Sequence, residues 1–205
     1  MLTLSVNEND PVYPAGLRSY LGENVPPIIN ALGNLDILNL KKLALFCSTE
    51  CPAELIKQAQ DLIQTALGPK VTVISGFHSP GESGCLSTLL HGNHPIIMCP
   101  ARSLSKMRIR TEYKEPLDQG RLLFLSFFRS HRHRSDINMA LSRNRFVAAM
   151  ADRILVVHAA PGGKTEGFCH EIFGWKKPLF TLASDLNQNL MALGAQPLNV
   201  KELEH

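Results

Sequence analysis

The feature that most constrains this chain is an alternation. From Lys42 onward, short apolar runs of strand length take turns with longer segments of helical periodicity. The run KLALFC is followed by PAELIKQAQDLIQTAL, where Pro52 stands at a helix start and Leu55, Ile56, Ala59, Leu62, Ile63 and Ala66 recur at helical spacing. KVTVISG, PIIMC, GRLLFLSFF, RILVVHA and PLFTL read as further strands, and GESGCLSTLLHG, DINMALSRNRFVAAMAD and GKTEGFCHEIFGW as further helices. Strands that alternate with helices are the mark of β-α-β units, so the pattern predicts an α/β fold with a mostly parallel sheet and helices on both faces. Residues 1–40 lack that rhythm. Pro11, Pro14, Pro26 and Pro27 punctuate them, and they read as an irregular, extended N-terminal arm with one short helix.

At 205 residues, 44% hydrophobic and 19% charged, the chain is ordinary globular material for one large domain. No apolar run approaches the length of a membrane span, and the start MLTLSVNENDP lacks the basic and apolar regions of a secretory signal. Five cysteines, an odd number, read as reduced thiols of a cytoplasmic protein. Cys47 and Cys51 have no second pair at zinc-binding spacing, so no metal is expected. Net charge is only +3, but cations crowd the stretch from Arg102 to Arg145. Leu203-Glu204-His205 is a candidate tag remnant.

In an open parallel sheet, ligands collect outside the carboxyl ends of the strands, near the point where strand order reverses. The loops expected there are rich in Gly, Ser and Thr: Cys47-Ser48-Thr49-Glu50 after the first predicted strand, Gly76 through Gly84 after the second, Pro100-Ala101-Arg102-Ser103 after the third, and Pro161-Gly162-Gly163-Lys164-Thr165 after the fifth. Glycines let backbone approach a ligand, and free N–H groups at a helix start favour phosphate. Ser48, Ser75, Gly76, Gly81, Gly162, Gly163, Lys164 and Thr165 are therefore the candidate anion pocket. Gly162 to Thr165 end like a P-loop, but His158 stands where its first glycine belongs. No Gly-x-Gly-x-x-Gly follows the first strand, and no cofactor is expected.

Taken in order, several segments resemble the DNA-processing protein A family (DprA, also called Smf). They are DPVYPAGL with VPPIINALGNLDIL, then LALFCS, VTVISG, RNRFVAAMADRILVVHAA and GGKTEGFCHEIFGWKKPLFTL. The resemblance spans roughly Asp10 to Leu182 and implies a Rossmann-like, doubly wound core over 41–202. It also implies a protein that binds single-stranded DNA in DNA processing, recombination or transformation, with a RecA-type recombinase as partner and no established catalysis. The chain departs from the family pattern in several places, among them Leu86 where a histidine is expected. Cys47-Ser48-Thr49 replaces its Gly-Ser-Arg, and Pro80-Gly81-Glu82 its Gly-Ile-Asp turn. The alternative, from the wider superfamily, is a module that binds or processes a nucleotide.

Arg143, Asn144 and Arg145 match the family's arginine pair and are candidate contacts to nucleic acid or phosphate. Two residues apart on a helix, the arginines splay by about 200°. FFRSHRHRSD sets cations beside aromatics, the recipe for single-strand binding. His78, Glu82, His158 and Glu166 are the acid/base groups expected near the same edge, where capping and packing are their commoner uses. Without a further DNA-binding domain, two copies side by side would join their basic edges, so a homodimer is expected.

Overall fold

The structure, a computed structural model, describes residues 3–68, 70–129 and 136–198. Nine strands among them form one sheet: β1 (Leu4–Asn7), β2 (Ile28–Gly33), β3 (Lys41–Phe46), β4 (Val71–Ser75), β5 (Ile96–Met98), β6 (Leu122–Ser126), β7 (Arg153–Val156), β8 (Leu179–Thr181) and β9 (Gln196–Pro197). Their spatial order is β1-β2-β6-β5-β4-β3-β7-β8-β9. Every pair from β6 across to β9 is parallel. From β3 the chain steps through β4, β5 and β6 to one side, then restarts at β7 on the other. The sheet is doubly wound, as expected, with its switch point between β3 and β7.

The period-2 geometry of strands explains how one sheet feeds two cores. Leu43, Leu45 and Cys47 point to one face, and Ala44 and Phe46 to the other. On the first face lie α2 (Ala53–Ala66), α3 (Pro80–His91) and α4 (Thr111–Asp118). On the second lie α1 (Leu17–Leu21), α5 (Ile137–Met150), α6 (Lys164–Phe173) and α7 (Gln188–Leu193). Helix α2 buries Leu55, Ala59, Ile63 and Ala66, one stripe at helical spacing. Lys177 fastens the second face. Its ammonium donates to the carbonyls of Ala148, Ala149 and Ala151 at 2.9, 2.7 and 2.6 Å, where the end of α5 presents negative dipole. The same ammonium sits 3.9 Å from the centre of the Tyr20 ring. Burial lowers its pKa to about 8.

The N-terminal segment corrects the expectation of an arm. β2 lies antiparallel to β6 with Asn30 opposite Ser126, and β1 lies antiparallel to β2. Ile29 and Ala31 are buried under α5 and its neighbours. The prolines do not prevent this, because none stands inside either strand. Pro26 and Pro27 precede β2 and serve as acceptors: the Pro26 carbonyl takes the Tyr13 hydroxyl at 2.5 Å and the Pro27 carbonyl takes Glu8 N–H at 3.2 Å. Residues 199–205, with the candidate tag remnant, and Ser130 to Ser135 of the cationic loop lie outside the described residues.

If residues 28–33 are sheet and not arm, Ile29→Ala lowers the unfolding free energy by about 2–5 kcal/mol, the range for deleting a buried Ile or Leu side chain. Urea titration measures it. An arm would leave the midpoint where it was.

Candidate functional site

At the switch point the two loops are stitched to each other. Ser48 N–H donates to the His158 carbonyl at 2.9 Å, and the Ser48 hydroxyl accepts Ala160 N–H at 3.0 Å. Asn187 holds its amide orientation by donating to the carbonyls of Val157 and Leu182 at 3.0 and 3.2 Å, which turns its oxygen to His158 Nδ1 at 2.9 Å. The glycine loop serves its own helix. Gly162, at φ +71°, donates to Glu166 Oε2 at 2.6 Å, and Gly163 donates to the Ala160 carbonyl at 2.9 Å and caps α6. Asn189 holds the other Glu166 oxygen at 2.5 Å, and these two hydrogen bonds keep the Glu166 carboxyl below its ordinary pKa. A carboxylate of the chain thus occupies the Gly162 amide that phosphate was expected to take. Lys164 is exposed and Thr165 half-buried beside it.

A second constellation lies two strands away, around Arg143. This residue is 5% exposed. Its Nε donates to Asn144 Oδ1 at 2.7 Å and its Nη1 to the Cys99 carbonyl at 3.1 Å. The guanidinium lies over Gly76; a Cβ built on that glycine falls inside it. Glu82 faces the same place. It closes a capping box with Ser79 at the start of α3, and its oxygens accept N–H from Cys47 at 3.2 Å, His78 at 2.8 Å and Ser79 at 3.5 Å. Burial raises the Glu82 pKa, while Arg143 and the three N–H groups pull it down. Burial likewise lowers the Arg143 pKa against the pull of Glu82, and a guanidinium keeps its charge. Ser75 is fully buried, its hydroxyl accepting Phe77 N–H at 3.1 Å, and Gly81 packs on Cys47 with no room for a Cβ. Both shape the loop from within.

Arg145 faces the other way, as the splay requires. It makes a two-pronged pair with Glu171 on α6, at 2.6 and 2.9 Å. The pair is partly exposed, so it is worth at most about 1 kcal/mol. Phe127 and Phe128 stack on each other at 4.4 Å, and Phe127 meets Phe146 at 5.1 Å. Both rings belong to the packing of the fold and not to an open platform.

Beside Arg143 and Gly76 opens a cavity of about 700 Å³ at the carboxyl ends of β4 and β5, between α3 and α4. Its lining includes the buried Phe77, Leu86, Met98 and Phe124 and the exposed Arg102, Arg108 and Arg110, with Glu112 and Glu115 among them and Arg110 3.5 Å from Glu112. Arg102 stands in the loop expected at the carboxyl edge after the third predicted strand, whereas Arg108 and Arg110 fall only within the cationic stretch noted in the sequence. A signal was present: in Lys106-Met107-Arg108-Ile109-Arg110 the cations are exposed in alternation, while Met107 and Ile109 pack on the core. Among the described residues no cluster of His, Cys, Asp and Glu is arranged to hold a metal ion, and no helix is long and apolar enough to cross a membrane.

The family model for DNA recombination-mediator protein A matches residues 5–196, and the chain belongs to that family. Two solved structures share the fold. DNA processing protein A from Streptococcus pneumoniae superposes with a TM-score of 0.79 at 21% identity, covering 95% of this chain and 70% of that one. The protein of that name from Helicobacter pylori, whose structure describes a single-stranded DNA binding mode, gives 0.77 at 17% identity, covering 98% of this chain and 94% of that one. No curated protein sequence matches.

Because both Glu82 oxygens accept N–H donors, Glu82→Gln turns an amide NH₂ toward a donor and costs about 1–3 kcal/mol in urea unfolding. Unchanged stability would mean that one oxygen carries a proton. Gly76→Ala displaces the guanidinium, which crystallography of the variant shows directly. An unmoved Arg143 contradicts the packing described.

Proposed function

We propose that the chain binds single-stranded DNA at the cavity between α3 and α4. The observation that carries this reading is the arrangement of cations around it: one buried arginine, Arg143, in the wall, and Arg102, Arg108 and Arg110 exposed along the mouth. Arginine forks grip phosphate oxygens, and the apolar part of the lining suits an unstacked base. Of the residues expected from sequence, Gly76, Arg143 and Asn144 serve this site. Ser75 and Gly81 shape the loop beside it, and Ser48 holds the loops at the switch point. Arg145, engaged by Glu171, and the loop from Gly162 to Thr165, whose Gly162 amide is engaged by Glu166, are left outside the proposed interface.

A nucleotide-binding module is the second reading, supported by a cavity within the size range of small-molecule sites. The rim arginines favour DNA, because they extend a cationic strip beyond what one nucleotide needs. Membership of the recombination-mediator family supports handover of the bound strand to a RecA-type recombinase. Two copies pairing to join their rims completes the proposal, and sedimentation at equilibrium tests that part.

Neutralising Arg102, Arg108 and Arg110 together weakens oligo-dT binding and flattens the plot of log affinity against log salt by about 2, at roughly 0.7 per lost contact to a single strand. Fluorescence anisotropy across a salt series reads both. A triple variant with the parent's slope removes the rim from the interface, and a mononucleotide that competes as well as oligo-dT favours the second reading. Lys164→Ala with Thr165→Ala leaves both affinity and slope unchanged.

A further inference from the structure

Arg143 is an unusual group to find in a cavity wall. Of its five N–H bonds, two are engaged, by Asn144 and by the Cys99 carbonyl. Glu82 is close enough to be felt, but its oxygens are held by three backbone N–H groups, and no ion pair joins it to Arg143 among the described residues. Among the described residues the other three N–H bonds have no hydrogen-bond acceptor, in a cation that is 5% exposed and lines the cavity. A buried cation of this kind calls for an anion.

The other cavity arginines differ in one respect. Arg102, Arg108 and Arg110 are exposed at the mouth, where a strand passing by can lay any phosphate on them. Arg143 is buried in the cavity wall. An internal phosphodiester is joined to sugar on two sides, so to bring it there the strand must enter the cavity and leave again. A terminal phosphomonoester is joined on one side only. It brings three free oxygens and a charge of about −1.5 to −2 at neutral pH, against one for a diester. It suits a single deep fork.

Resting on the reading that this cavity is the DNA site, we propose that it receives the phosphorylated end of a strand. The terminal phosphate sits on the free N–H groups of Arg143, and the nucleotides behind it run out over Arg102, Arg108 and Arg110.

The test is competition against a labelled oligo-dT by four unlabelled strands of one length: 5′-phosphorylated, 3′-phosphorylated, without terminal phosphate, and circular. One of the phosphorylated strands is expected to compete about tenfold better than the unphosphorylated strand and the circle. The two phosphorylated arms show which end is taken. Arg143→Met abolishes that advantage, so that the phosphorylated strand competes no better than the circle against the same variant. Arg143→Lys serves where the methionine variant does not fold. If the circle competes as well as either phosphorylated strand, the end-binding proposal is overturned while single-strand binding stands. If no strand binds, the DNA reading itself fails. If a folded Arg143 variant keeps the tenfold preference, the phosphate sits elsewhere and Arg143 is not its seat.

Discussion

The guanidinium of Arg143, laid over Gly76, is the contact on which the arrangement of the site depends. It draws together the carboxyl ends of β4 and β5 through Gly76 and the Cys99 carbonyl, and it brings α5 to them. Glu82 answers it from the start of α3 and reaches across to Cys47 at the end of β3. Five elements thus meet at the sheet's carboxyl edge through two opposite charges that are not in direct contact. A pair so buried is a poor source of net stability, because desolvation offsets most of the attraction. What it supplies is position. Gly76 has to lack a side chain for the arginine to lie there, and the arginine in turn shapes the wall of the cavity.

Much of the fold can be read from local pattern. The strands at Lys41–Phe46, Val71–Ser75 and Arg153–Val156 are short apolar runs with helices between them, and covering both faces of a parallel sheet leaves no other rhythm. The pattern failed where pairing partners are far apart in sequence. β2 is a six-residue run whose place is set by β6, some ninety residues later, and nothing within residues 1–40 announces that partner. Helix α4 was likewise unread: a cationic lead-in and Pro116 within its span hide a helix held by Tyr113 and Leu117 against the sheet.

The site was legible in kind more than in place. Glycines and hydroxyls at the carboxyl edge do cluster there, but that chemistry makes turns and caps as readily as anion sites. Only partners decide between the two. Glu166 lies three residues beyond Gly163 and returns to Gly162, a local closure that looks the same in sequence as an open phosphate loop. The spacing of Arg143 and Arg145 said that they part company; it did not say which would be buried. The alternation of Arg108 and Arg110 with apolar neighbours was present in the sequence and is the clue that carried most information about the cavity.

The central claim is that the strand lies between α3 and α4, and not on the glycine loop at the switch point. Photo-crosslinking with an oligonucleotide carrying 4-thiothymidine, followed by peptide mapping, locates the contact directly. Adducts are expected in the peptides that hold Gly76 to His78 and Met98 to Tyr113. Adducts concentrated between His158 and His170, with those peptides unmodified, would contradict the claim.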